Sequence, residues 1–274
     1  MREKCGDMVD GRSVIKLGQI DILEVLYKYR FGSRVLIANA LGVSAVTLHK
    51  KLVVLVKHGL VATKYDGSAK IQGRPVAYFL TPKGIRFLQS LEDHSYISDT
   101  TIKASYRDKA LAPATISHCL QVFSHILRLK HRYQELKAYL RRDMNRFSYF
   151  PEPQPDAFLS LSVEGEIKRF FLDVIPDTGE RKPLFQRVSA YIDFFDKGGW
   201  EVTNTEPPIL LFIAETSRAE RMVRRMVKGA LSHLDPDNVP EIFTTTQKAI
   251  ESMDSEALIW TALGDDELVA LTDM

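Results

Sequence analysis

Between Arg34 and Lys57 the chain reads RVLIANALGVSAVTLHKKLVVLVK, two short helix-period runs separated by Gly42-Val43-Ser44. A glycine stops the first run, and a serine suited to cap a helix opens the second, so the stretch predicts two helices joined by a tight glycine turn. On the second helix Leu48, Leu52 and Leu55 follow i, i+4, i+7 spacing and should face a core. That orientation turns Thr47, His49, Lys50 and Lys51 toward other faces.

The flanking residues extend the pattern. Ile15, Ile22, Leu23, Val25, Leu26 and Tyr29 recur at helical spacing, Gly32 ends that run, and Ser33 can cap RVLIANAL. Gly59 should stop the helix that begins after Ser44. In ATKYDGSAKIQGRPVAYFLT, Asp66-Gly67-Ser68 is a turn signal and VAYFL is strand-like, which predicts a two-stranded hairpin. Thr81-Pro82 then opens a helix over PKGIRFLQSL, with proline in its first turn.

Charge is divided unevenly. Residues 1–147 hold 25 Lys and Arg against 12 Asp and Glu, a net +13, whereas residues 148–274 hold 12 against 23, a net −11. The basic half is suited to a polyanion, and the acidic half must serve otherwise or simply be solvated. The order helix, helix-turn-helix, hairpin, helix, with LGVS at the turn and KHGLV at the helix exit, resembles the winged helix-turn-helix family over roughly Ser13 to Leu91. The resemblance implies binding to double-stranded DNA, with Ser44, Thr47, His49, Lys50 and Lys51 at the major groove and Lys64, Lys70 and Arg74 on the wing. Lysine and arginine contacts of this kind serve phosphates, so sequence reading would fall to Thr47, His49 and Lys50. Winged helices also serve as protein-docking modules, which leaves that role open.

An apolar fraction of 45% and a charged fraction of 26% are those of a globular protein. No apolar run approaches the ~18 residues of a membrane span, and MREKCGDMVDGRS lacks a secretory core, so a cytoplasmic protein without membrane contact is expected. Cys5 and Cys119 are far apart and suggest free thiols. The spacing of His118, His125 and His131 points to packing or surface roles instead of a metal site.

Residues 1–92 are therefore expected as the DNA-binding domain, the polar stretch 93–113 as a linker, and residues 114–274 as a second domain. The latter should open with a long helix over Thr115–Arg146. That helix carries Arg141, Arg142 and Arg146, and its plainest role is packing, with DNA contact or pairing in a homodimer as alternatives. Next, LSL and IKRFFLDVI read as adjacent strands around the turn VEGE, LFQRVSAYIDFF as a helix, and PILLFIAE as a strand buried on both faces. Ser217 and Glu220 suggest a capping box for the basic helix RAERMVRRMVKGAL. EIFTTT and ALIWTAL follow as strands around the short helix TQKAIESM, which makes a mixed-sheet α/β domain.

In PDAFLSLSVEGEIKRFFLDVI, Asp156 and Asp173 stand where PD-(D/E)xK nucleases carry metal-binding carboxylates, and the domain resembles that restriction-endonuclease-like fold. In such enzymes two carboxylates hold Mg²⁺, which activates water, and a lysine two residues after the second carboxylate positions or deprotonates it. Ile175 occupies the lysine place. If the domain cut DNA, Asp156, Asp173 and Lys182 would be its catalytic set, with Glu135 as an additional metal ligand. Otherwise the aspartates are structural and no cofactor is needed.

Both halves together resemble the replication-relaxation family of plasmids and conjugative elements. The likeness rests on PDAF, on FFLDV, on RVSAY with Arg187 and Tyr191, and on PILLFIAETSRAERM. Members tend to carry Glu-x-Asp at the second strand and a lysine four residues before the tyrosine, where this chain has Asp173-Val174-Ile175 and Arg187. The resemblance implies a DNA-binding accessory protein in plasmid replication, mobilisation or their regulation, with a relaxase or replication protein as a partner. The alternatives are a metal-dependent endonuclease and a dimeric winged-helix transcriptional regulator.

Overall fold

The chain forms two units, Met1–Phe123 and Ser124–Met274, in a computed structural model that describes residues 15–64, 75–178, 181–231, 240–253, 258–264 and 267–274. The expected turn Asp66-Gly67-Ser68, and with it Lys70 and Arg74, lies outside the described residues, as does Cys5.

In the first unit α1 (Leu17–Tyr29), α2 (Arg34–Leu41) and α3 (Ala45–Lys57) enclose Ile22, Leu23, Leu26, Ile37, Leu48, Leu52 and Leu55, all buried. Ser33 Oγ accepts from Leu36 N–H at 3.2 Å and Ser44 Oγ from Thr47 N–H at 3.1 Å, so each serine satisfies an amide that its helix leaves unpaired. Gly42 ends α2 at φ 62, a left-handed conformation that glycine takes without steric cost. Strands β2 (Val61–Lys64) and β3 (Ala77–Leu80) pair antiparallel, with Val61 opposite Leu80, and Thr81 caps α4 (Pro82–Gln89). One further strand was not expected: β1 (Phe31–Ser33) pairs with β3, placing Phe31 against Phe79.

The stretch expected as a linker is folded. Two single-turn 3-10 helices, Glu92–His94 and Asp108–Ala110, flank α5 (Asp99–Ser105), and Ile97 and Ile102 are buried. Asp108, only 2% exposed, accepts from Arg30 Nε at 3.0 Å and Nη2 at 2.7 Å, and His94 Nε2 lies 2.9 Å from Glu24 Oε1. Two isolated apolar anchors are too sparse to produce a period, which is why the sequence pattern looks unstructured.

The long helix is shorter than expected. It runs as α6 (Pro113–Arg132), which contains the boundary between the units, and Leu136–Leu140 then forms strand β4 before the single turn α7 (Arg141–Met144). In LKAYL the residues Leu136, Ala138 and Leu140 are buried while Lys137 and Tyr139 face out. Leu136 and Leu140 satisfy both a helical i, i+4 repeat and a strand's period of two, and pairing with the neighbouring strand decides for the latter.

The second unit is built on a seven-stranded mixed sheet in the order β10-β9-β8-β7-β6-β5-β4. Its strands are β4, β5 (Ala157–Val163), β6 (Glu166–Ile175), β7 (Ile209–Ala214), β8 (Ile242–Thr246), β9 (Trp260–Ala262) and β10 (Leu268–Val269). The central trio β6, β7 and β8 is parallel and the outer pairings are antiparallel. Helix α8 (Arg181–Asp196) connects β6 to β7, α9 (Ser217–Leu231) connects β7 to β8, and α10 (Gln247–Ser252) follows β8. Leu210, Leu211, Phe212 and Ile213 on β7 are all buried, as a strand covered on both faces requires. The chain is thus mixed α/β, and among the described residues no single helix is long and apolar enough to cross a membrane.

The cap of α9 differs by one residue from expectation. Thr216, not Ser217, holds the cap, its Oγ1 accepting from Ala219 N–H at 3.1 Å. Glu220 turns to the sheet and accepts from Thr244 Oγ1 at 3.0 Å.

Candidate functional site

Sheet register brings Asp156 and Asp173 together. Ala157 pairs with Leu172, so Asp156 falls opposite Asp173 one residue beyond the end of the β5–β6 ladder. Two backbone amides bind the carboxylates across the strands: Asp156 N–H donates to Asp173 Oδ1 at 3.2 Å, and Val174 N–H, the residue after Asp173, donates to Asp156 Oδ2 at 3.0 Å. Alternation along β6 puts Phe171, Asp173 and Ile175 on one face. Helix α8 lays Arg187 and Tyr191 there, one helical turn apart.

Arg187 Nη1 is in direct contact with Asp173 Oδ1 and lies 3.7 Å from Asp156 Oδ1. Tyr191 donates its hydroxyl to Asp173 Oδ2 at 2.7 Å. Asp173 is 1% exposed, and burial raises its carboxyl above the ordinary value, with the Arg187 charge opposing and the Asp156 charge adding to the rise. Burial likewise pushes the Tyr191 hydroxyl well above 10.0, and the Asp173 charge pushes it further. The Arg187 guanidinium is held more firmly protonated, chiefly by Asp173.

These residues do not fit a divalent cation. A carboxylate that holds Mg²⁺ must turn an oxygen toward it, yet Asp173 Oδ1 serves Arg187 and an amide while Oδ2 serves Tyr191. The Arg187 guanidinium sets a positive charge beside both carboxylates. Ile175, at the lysine place, is buried in an apolar cluster with Leu184, Val188 and Tyr191.

The remaining members of the expected catalytic set are elsewhere. Lys182 is exposed on the first turn of α8, and the helix presents Arg187 to the aspartates instead. Glu135 was expected on the long helix but sits exposed in the turn before β4. Leu136 pairs with Leu161 while Leu140 pairs with Ala157, so Glu135 is at the far end of that ladder from Asp156, about 20 Å away at ~3.4 Å per residue. Among the described residues no group of three or more His, Cys, Asp or Glu could hold a metal. Arg187 and Tyr191, marked in the sequence only through the RVSAY likeness and not among the expected site residues, complete the cluster, and their i, i+4 spacing is the sequence signal that couples them.

In the first unit the face of α3 opposite Leu48, Leu52 and Leu55 carries Val46, Lys50, Val53 and Lys57, all exposed. Thr47 and His49 are exposed beside them, and Ser44 is exposed as the cap. Val46 at 69% and Val53 at 53% exposure are unusual for valine on a packed helix. Lys51 is turned back onto α1, where its Nζ would collide with a Cβ at Gly18, and Lys64 Nζ donates to the Lys109 carbonyl at 2.7 Å. Of the five positions expected at the groove, Lys51 thus points away, and of the wing positions only Lys64 is described.

Compared with protein-family models, curated proteins and solved structures, the chain matches none.

Proposed function

We propose that the chain is a double-stranded DNA-binding accessory protein whose first unit is a winged helix and whose second unit is a nuclease-like domain that does not cut. The exposed face of α3 carries this reading. Helices α2 and α3 turn through 111° across Gly42-Val43-Ser44, within the ~90–120° of DNA-binding helix-turn-helix pairs, and α3 presents Thr47, His49, Lys50 and Lys57 outward. Val46 and Val53 beside them suit thymine methyl groups in a major groove, and Thr47 and His49 suit base edges. The basic balance of residues 1–147 supports affinity for phosphates.

The proposal of a silent nuclease domain rests on Arg187 taking the charge position between Asp156 and Asp173. The likeness to replication-relaxation proteins extends the proposal to a role in plasmid replication, mobilisation or their control in the cytoplasm, beside a relaxase or replication protein. Gel-shift titrations of duplex DNA at rising salt test the binding. The wild type should bind with a steep salt dependence, and His49→Ala/Lys50→Ala should weaken it. Incubation of supercoiled plasmid with Mg²⁺ or Mn²⁺ should leave the plasmid intact, and cleavage abolished by Asp173→Ala would sink the non-catalytic reading.

A further inference from the structure

The second unit carries a cationic stripe that its overall charge does not explain. Of the 12 Lys and Arg in residues 148–274, five lie on α9: Arg218, Arg221, Arg224, Arg225 and Lys228. At 3.6 residues per turn, Arg218, Arg221, Arg225 and Lys228 fall within an arc of roughly 80°, diametrically opposite the buried Ala219, Val223 and Val227. All four are exposed, and among the described residues none makes a hydrogen bond or ion pair. Arg224, off the stripe, reaches back toward Thr244 Oγ1 at 3.4 Å.

Arg218, Arg221 and Arg225 also line a cleft of about 230 Å³, floored by Ala219, Met222 and Met226 and bordered by Asp177. The Asp177 carboxylate is engaged on the cap side, accepting from Thr216 Oγ1 at 2.9 Å. Four exposed cations in a row on an otherwise acidic unit suit an anionic partner with a regular charge spacing. From Arg218 to Lys228 the stripe extends about 15 Å along the helix, and a DNA strand offers a phosphate every ~3.4 Å of axis, so about four phosphates match four cations. Three of the four are arginines, whose planar forks take phosphate oxygens in pairs.

We propose that this face of α9 is a second DNA contact, binding the phosphodiester backbone of a duplex through Arg218, Arg221, Arg225 and Lys228. It rests on the DNA-binding reading above and adds a site in the unit that the reading treats as catalytically silent.

The test is fluorescence anisotropy of a labelled mixed-sequence 30-base-pair duplex with the full-length protein across a salt series. Arg218→Gln/Arg221→Gln/Arg225→Gln should bind at least about tenfold more weakly at low salt and lower the slope of log K against log salt by roughly three, near 0.9 per phosphate contact. The corresponding triple Arg→Lys variant, which keeps the charges, should restore most of the slope and confirm that folding is intact. Unchanged affinity and slope in the Gln variant, with normal wild-type binding, would overturn the proposal and leave the α3 reading standing. Loss in the Gln variant with no effect of His49→Ala/Lys50→Ala would sustain this site and overturn the α3 reading. No duplex binding by the wild type overturns both. Competition of the labelled duplex by poly-glutamate as effective as by unlabelled duplex, dependent on the arginines, would reassign the stripe to an acidic protein.

Discussion

Arg187 Nη1 rests on Asp173 Oδ1, joining residues of α8 and β6 that are 14 positions apart in the chain. The pair ties the helix to the sheet. Arg187→Ala would leave the nearly buried Asp173 charge with only hydrogen bonds to offset it. Removing one partner of a buried ion pair costs about 3–5 kcal/mol, and the 28% exposure of the Arg187 side chain sets the expectation at the low end, about 3 kcal/mol. At ~2–4 °C per kcal/mol for a unit of this size, the melting midpoint of the second unit should fall by about 6–12 °C in calorimetry. Arg187→Lys should recover part of that loss. A fall under about 1 kcal/mol would show that the pair contributes little.

Tyr191 predicts a pH dependence. Its folded-state hydroxyl is raised well above the ordinary 10.0 by burial and by the Asp173 charge. The folded protein therefore keeps a proton that the unfolded chain releases, so the contribution is fully present below about pH 10 and is lost as pH rises beyond it. Stability should decline there by up to about 1.4 kcal/mol per pH unit for this one group. Tyr191→Phe, measured by urea denaturation from pH 8 to 11, should be less stable at pH 8 through loss of the hydrogen bond to Asp173, yet show a shallower alkaline decline. Equal slopes in the two proteins would contradict the assignment.

Features held by neighbouring residues are readable from sequence, and those held across the fold are not. Ser33 and Ser44 cap within three residues, and Gly42 needs only its own conformation, so α2, α3 and their turn can be located from residue order. The strands β5 and β6 announce themselves by alternation and the Glu164-Gly165 turn, and their register places Asp156 beside Asp173. Strand β4 is hidden because its apolar residues fit two periods, and β1 because three residues carry no period at all. The Arg187 contact is hidden for a different reason. A motif reading looks for a cation near residue 175 on the strand, whereas the fold supplies it from a helix that crosses above.

The segment after α4 should prove part of the first unit's stability. Asp108 is 2% exposed and depends on Arg30, whose own side chain is 33% exposed. Asp108→Ala leaves the guanidinium able to reach water, so the expected cost is about 2 kcal/mol, below the range for a fully buried pair. Hydrogen exchange should report faster opening over residues 92–110 and at the end of α1 in the variant. Unaltered exchange at both places would mean that the ion pair does not hold the segment.

The cap of α9 separates two adjacent hydroxyls by their roles. Thr216 Oγ1 accepts from Ala219 N–H at 3.1 Å while donating to Asp177 Oδ2 at 2.9 Å, whereas the exposed Ser217 occupies the first helical position. Thr216→Ala should cost about 1 kcal/mol or slightly more, because the amide loses its acceptor and Asp177 loses a donor. Ser217→Ala should lie within about 0.5 kcal/mol of the wild type, as surface substitutions away from caps and cores do. Chemical denaturation of the two variants side by side decides between the hydroxyls. Under the proposed duplex contact of the arginine stripe on α9, Thr216→Ala should loosen the first turn and weaken that contact by less than the loss of the arginines themselves, whereas Ser217→Ala should leave it as it is.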